Sequence, residues 1–194
     1  VHAYQIPLIA DDRRVGTTLL QRALDLLIVT KPLGSGALLA AWMRGELPSA
    51  AYGPLLCGLL TANDRAGAIF ARHGVRACTD ITGFGLAGHL REMLRSSKVA
   101  ATLLSENVPI YPGFEEVVHS GIVSSLHEEN TRYGRAIAGC AHPWLFDPQT
   151  SGGLIAGVSP VDAPSILSQL HDAGYSQAAL VGHIHAGEPL IHVR

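Results

Sequence analysis

The chain reads as an α/β (α+β) domain built around one sheet. Short apolar runs alternate with longer stretches of helical period, and glycine clusters mark the switches between them. With 194 residues, 47 % hydrophobic and 15 % charged, there is enough apolar material for a substantial core. So little charge excludes a disorder-dominated chain. Lys+Arg number 14 against 16 Asp+Glu, a formal net charge of −2, so no basic surface for nucleic acid is expected. No apolar run reaches the roughly 18 residues of a membrane-spanning helix. Val1-His2-Ala3-Tyr4-Gln5 lacks the basic-then-apolar layout of a signal peptide. Cys57, Cys78 and Cys140 form an odd set without Cys-x-x-Cys, which argues against a disulfide framework or a zinc-thiolate site and for a reducing, cytoplasmic setting.

Residues 1–24, with the charged patch Ala10-Asp11-Asp12-Arg13-Arg14, read as a junction or arm, and residues 25–194 as the domain. Leu26–Thr30 is a buried strand that runs into the loop Lys31-Pro32-Leu33-Gly34-Ser35-Gly36. Ala37–Met43 is helical. Ser49 is placed to cap one long helix through about Arg72, Pro54 early in it also allows a start nearer Gly53, and His73-Gly74 closes it. Val75–Thr79 is a strand, and the helix after Gly85 carries Leu86, Leu90, Met93 and Leu94 on one face. Val99–Leu104 is a strand and Pro112–His119 a short helix closed by Gly121. Residues 122–146 show no period and receive no element. The loop Asp147–Gly153 leads into a strand over Leu154–Val158. Asp162 caps a helix with Ile166, Leu167 and Leu170 inward. The strands Ala178–His185 and Leu190–Val193 flank the Gly187-Glu188-Pro189 turn.

Three clusters carry chemistry. Asp80-Ile-Thr-Gly-Phe-Gly-Leu-Ala-Gly88 lies where a strand ends and a helix begins. Glycines there let an anion approach backbone N–H groups, and the helix N-terminus adds partial positive charge. A carboxylate at that mouth repels phosphate unless a hard divalent cation such as Mg²⁺ bridges them. Asp80 is therefore the candidate metal ligand, with Thr82, Gly83 and Gly85 beside the phosphate. The same residues also suit an ordinary turn with a capping Asp. They also match the dinucleotide fingerprint as Gly83-x-Gly85-x-x-Gly88, with Glu106 placed for a ribose hydroxyl.

The second cluster, Lys31 to Gly36, offers an ammonium and the amides of Gly34 and Gly36 to phosphate, or is a tight strand–helix connection. It is not a P-loop, because the lysine precedes the glycines. The third, Asp147-Pro-Gln-Thr-Ser-Gly-Gly153, suits a polar pocket wall through Asp147, Gln149 and Thr150, or a turn into a buried strand. His183 and His185 share a strand face without an evident third metal ligand. Cys140 and His142 are close in sequence only, and Cys78 reads as a small core residue.

Taken in order, Lys31-Pro-Leu-Gly-Ser-Gly, Ala77-Cys-Thr-Asp-Ile-Thr-Gly-Phe-Gly-Leu-Ala-Gly-His89 and Asp147-Pro-Gln-Thr-Ser-Gly-Gly-Leu154 resemble the C-terminal half of selenophosphate synthetase (selenide, water dikinase). The resemblance implies a three-layer α/β/α domain with a mixed sheet, like the C-terminal domain of aminoimidazole ribonucleotide synthetase. It implies a homodimeric enzyme that converts selenide, ATP and water to selenophosphate, AMP and phosphate, with ATP and Mg²⁺ between two domains. Asp80 matches the aspartate that this half adds to the metal cluster. The partner domain, N-terminal in the family, carries the catalytic Cys or selenocysteine, a Lys and most metal-binding aspartates. No Gly-Cys-Gly-x-x-Lys segment occurs here, so the chain reads as a separated C-terminal domain, inactive alone. A dinucleotide-binding module and a non-catalytic structural or regulatory domain are the alternatives.

Overall fold

A computed structural model describes residues 25–194; the expected arm over residues 1–24 lies outside the described residues. The strands are β1 (Leu26–Val29), β2 (Ala77–Asp80), β3 (Ala100–Leu103), β4 (Ile137–Gly139), β5 (Leu154–Val158), β6 (Ala179–His185) and β7 (Ile191–Val193). The helices are α1 (Ser35–Arg44), α2 (Ser49–Leu60), α3 (Asp64–Arg72), α4 (Gly85–Ser97), α5 (Phe114–His119), α6 (His127–Asn130) and α7 (Ala163–Asp172). The sheet order is β2-β5-β1-β6-β3-β7-β4. Pairing is antiparallel except for β3–β7 and β7–β4, so the sheet is mixed.

Strand alternation sorts the apolar side chains into two cores. Leu27 and Val29 of β1 join Ile155, Val181 and Ile191 under α1, α2, α4 and α5. Ile28 joins Leu154, Ala156 and Val158 under α3 and α7. Each inward-facing helix buries one stripe, such as Leu86, Leu90 and Leu94 of α4 or Ile166 and Leu170 of α7. The result is three layers, helix–sheet–helix.

This arrangement explains a correction. The single helix expected from Ser49 to Arg72 is two helices, broken at Thr61–Asn63. α2 buries Ala51 and Leu55 in the first core, whereas α3 buries Ala66, Ile69 and Phe70 in the second. The chain must pass from one face of the sheet to the other, and no straight helix can serve both. Side chains hold the break. The Tyr175 hydroxyl donates to the Ala62 carbonyl at 2.6 Å, and Asn63 Nδ2 donates to the Gly152 carbonyl at 2.8 Å.

The stretch 122–146 is also structured. It holds α6, a 3-10 turn over Thr131–Ala136, edge strand β4 and a second 3-10 turn over Pro143–Leu145. Its elements are three to six residues long, too short to show a helical period. β6 and β7, expected around one turn, are not neighbours, because β3 lies between them. The fingerprint reading meets the same obstacle: it needs β2 and β3 in one parallel βαβ unit. Here β2 is an edge strand with three strands between it and β3, and Glu106 follows β3 far from the Gly83–Gly88 loop.

Candidate functional site

β1 and β2 both run antiparallel to β5, so their carboxyl ends lie where β5 begins. The loop after β1, the loop after β2 and the loop before β5 are the three motif clusters, and the topology gathers them at one end of the sheet. Backbone bonds join them directly. Ile81 N–H donates to the Gly153 carbonyl at 2.8 Å, Gln149 N–H to the Thr82 carbonyl at 2.9 Å, and Thr30 N–H to the Leu154 carbonyl at 3.0 Å. A Cβ on Gly152 would collide with the Ile81 carbonyl, which explains a glycine where the third loop passes beneath the second.

The first and third loops are matched partners. Helix α1 begins after Gly34, a left-handed residue without a side chain to cap the exposed N–H groups. Gln149 Oε1 accepts from the Gly34 and Ser35 amides at 3.0 and 3.1 Å. Asp147 Oδ2 accepts from the Gly36 amide at 3.0 Å and Oδ1 from the Ala37 amide at 2.9 Å. Two side chains more than a hundred residues away thus satisfy all four amides through three oxygens, and the carboxylate meets the positive end of the helix. Asp147 is fully buried, and burial pushes its carboxyl up to about 7, against the three N–H donors that favour the anion.

Lys31 is buried too. Its Nζ donates to the carbonyls of Gly58 at 3.3 Å, Ser151 at 2.9 Å and Thr61, so it closes the C-terminal end of α2 from within. Burial lowers its pKa to about 8. A group depressed in the folded state costs stability while protonated, so the fold should gain stability as pH rises from about 8 to 10.5. Lys31→Met is expected to destabilise the chain by about 2–3 kcal/mol near pH 7, because three carbonyls lose their donor. The gain above pH 8 should vanish in the variant; denaturant titrations at pH 7 and 9.5 measure both.

The second loop faces outward. Asp80, at the carboxyl end of edge strand β2, is exposed, and among the described residues its carboxylate has one side-chain hydrogen bond, from the Thr79 hydroxyl at 3.5 Å. Thr82 and Gly83 are half-buried, while Phe84 is 52 % exposed. The amides of Gly83 and Phe84 meet no acceptor among the described residues. Both lie at the N-terminus of the 13-residue α4, which adds partial positive charge. One carboxylate therefore stands near free amides at a helix start. Among the described residues, no three His, Cys, Asp or Glu side chains converge as a metal centre. Asp80 can contribute one hard oxygen arm, and any further ligands would have to come from water, phosphate or another chain segment.

The ten site residues thus divide. Asp80, Thr82, Gly83 and the exposed Thr150 lie toward solvent or half so, whereas Lys31, Gly34, Gly36, Gly85, Asp147 and Gln149 are buried behind them. The sequence reading missed Asn130, which is buried and donates to the Gly83 carbonyl at 2.8 Å and the Phe146 carbonyl at 3.0 Å. It lies in the stretch without period, so no pattern marked it. Cys78 packs partly on the second core, and burial with the Asp80 charge pushes its thiol up to about 12. His142 stacks on Trp144 at 5.2 Å, and no bond joins it to the Cys140 thiol. His183 and His185 form a row with His192, at ring separations of 5.9 and 5.4 Å.

Comparison with known proteins agrees with this layout. The family model for AIR synthase related protein, C-terminal domain, matches residues 25–193. A selenide, water dikinase of Paraburkholderia xenovorans (strain LB400) is 34 % identical over 193 residues, covering 95 % of this chain and 54 % of the relative. One from Myxococcus xanthus (strain DK1622) is 37 % identical over 178 residues, covering 87 % and 50 %. The chain thus spans about half the length of the curated relatives it matches. Among solved structures, the hydrogenase maturation protein HypE in complex with ATP superposes with a TM-score of 0.63 at 17 % identity, over 84 % of this chain and 42 % of that one. Thiamine-monophosphate kinase from Stenotrophomonas maltophilia K279a gives 0.60 at 21 %, over 87 % and 49 %; both show the shared fold. No helix among the described residues is long and apolar enough to cross a membrane. The chain belongs to the AIR synthase related protein, C-terminal domain family, and the curated relatives at 34 and 37 % identity are selenide, water dikinases.

Proposed function

We propose that this chain is the C-terminal domain of a cytoplasmic selenophosphate synthetase and forms one wall of its Mg²⁺–ATP cleft. The observation that carries the reading is an exposed carboxylate beside amides that meet no acceptor among the described residues, at a helix N-terminus, with three motifs meeting there. The names of the relatives support the reaction, and the ATP complex of HypE supports the nucleotide. Asp80 would hold a Mg²⁺ that neutralises phosphate charge when bound. The amides of Gly83 and Phe84, with Thr150, would face the phosphates, and Thr82 would stand beside the cation. Lys31, Gly34, Gly36, Gly85, Asp147 and Gln149 would act from behind, fixing the loops rather than touching nucleotide. Phosphoryl transfer depends on positioning and charge stabilisation, and the nucleophile and remaining metal ligands would come from a partner domain. Selenide and ATP would meet between the two domains in a homodimer.

The test is selenide-dependent AMP formation by the chain alone and after mixing with the N-terminal half of a relative. Activity only in the mixture supports the reading. Activity of the chain alone, or none in a mixture whose halves demonstrably associate, overturns it.

A further inference from the structure

The loop that carries Asp80 is held by a side chain that neither the motif chemistry nor the family reading assigns. His89, in the second turn of α4, reaches back so that its Nε2 lies 3.1 Å from the Thr82 amide nitrogen and 3.2 Å from Thr82 Oγ1. A backbone N–H can only donate, so Nε2 must carry a lone pair and the imidazole must be neutral with its proton on Nδ1. An unprotonated Nε2 can only accept, so the Thr82 hydroxyl also points its proton inward, the two donors sharing the one lone pair in a three-centre bond. Both lone pairs of Thr82 Oγ1 are then left for whatever binds at the loop. The Phe84 ring lies 5.6 Å from the imidazole, tilted 36°. Burial lowers the His89 pKa, with the Asp80 charge opposing, which agrees with a neutral ring.

We propose that His89 is a positioning residue: it fixes the Thr82 peptide and makes the Thr82 hydroxyl an oxygen acceptor for a divalent cation, or its water shell, held by Asp80. The cation part rests on the function proposed above; the hold on Thr82 does not. Without His89 the Thr82 amide would lose its acceptor and the hydroxyl could turn to donate, which would oppose a cation.

Two measurements on the chain separate the two parts. Long-range ¹H–¹⁵N spectra report which imidazole nitrogen is protonated, and amide exchange reports the Thr82 hydrogen bond. The expected result is a protonated Nδ1, with Thr82 exchange about tenfold faster in His89→Ala and restored in His89→Gln, whose Oε1 can accept. Titration with Mn²⁺ as the probe should broaden signals around Asp80 and Thr82, with affinity several-fold weaker in His89→Ala, restored in His89→Gln and lost in Asp80→Asn. A proton on Nε2, unchanged Thr82 exchange in His89→Ala, or no rescue by His89→Gln overturns the positioning role. If the exchange results hold but Mn²⁺ binding does not depend on Asp80, the cation reading falls while the hold on Thr82 stands. Asp80-dependent binding with equal affinity in His89→Ala also overturns the proposal.

Discussion

Asp80→Asn is expected to lower turnover of the enzyme assembled from both halves by about 100-fold or more, with folding stability unchanged within about 0.5 kcal/mol. The two expectations follow from the same geometry. The carboxylate is exposed and, among the described residues, touches only the Thr79 hydroxyl, at 3.5 Å, so the fold asks little of it. Asparagine keeps the shape and one oxygen but removes the negative charge that attracts a hard cation. The loss should therefore appear as a higher Mg²⁺ requirement together with lower turnover. Magnesium titrations of activity, with thermal melts of both proteins, measure it. Unchanged turnover would favour the structural or regulatory alternative, in which the fold persists without the chemistry. A large loss of stability would show instead that the residue serves the fold.

How much of this was legible beforehand depends on where the determining interactions lie. β1, β5, α4 and α7 could be read because their patterns are local: apolar runs, a helical stripe, a glycine at the stop. The two motif loops flanking β1 and β5 could be recognised as polar and glycine-rich, but not assigned. Asp147 and Gln149 look like pocket residues in sequence, since nothing local says that the helix they cap begins at Gly34. Lys31 looks like a phosphate ligand for the same reason, until its three carbonyl partners are seen on α2 and the third loop. The break between α2 and α3 is also non-local: it exists because the sheet has two faces to cover. His89 stood in view at the end of the second motif, yet its role needed the reach from α4 back to Thr82. Asp80 was the readable member, because a strand end followed by Thr-Gly-Phe-Gly places a carboxylate at a helix mouth by local rules.

Removing the Asp147 carboxylate should have the largest effect on the fold itself. Asp147→Ala leaves the Gly36 and Ala37 amides without their acceptor, and Gln149 Nε2 with only the backbone carbonyl of residue 147. Each is buried, so water cannot replace it, and a loss of about 3–4 kcal/mol is expected. The loss should spread to both loops, because Gln149 is fixed partly by its own 3.0 Å bond to Asp147 Oδ2. The charge makes a second prediction. Burial pushes the folded carboxyl up to about 7, against an ordinary value of 3.8, so the folded chain holds a proton that the unfolded chain releases across that interval. More protons bound when folded means that stability falls as pH rises from about 4 to 7, then levels. Three pH units of displacement correspond to about 4 kcal/mol as an upper bound. Asp147→Asn cannot titrate, so the wild type should lose stability relative to it over this window, with the difference flat above pH 8. Urea unfolding of both proteins at pH 5, 6, 7 and 8 isolates the effect, since other titrating groups cancel in the difference. A difference that grows in favour of the wild type with rising pH would mean that the amides of α1, with Gln149, outweigh burial and hold the carboxylate ionised throughout.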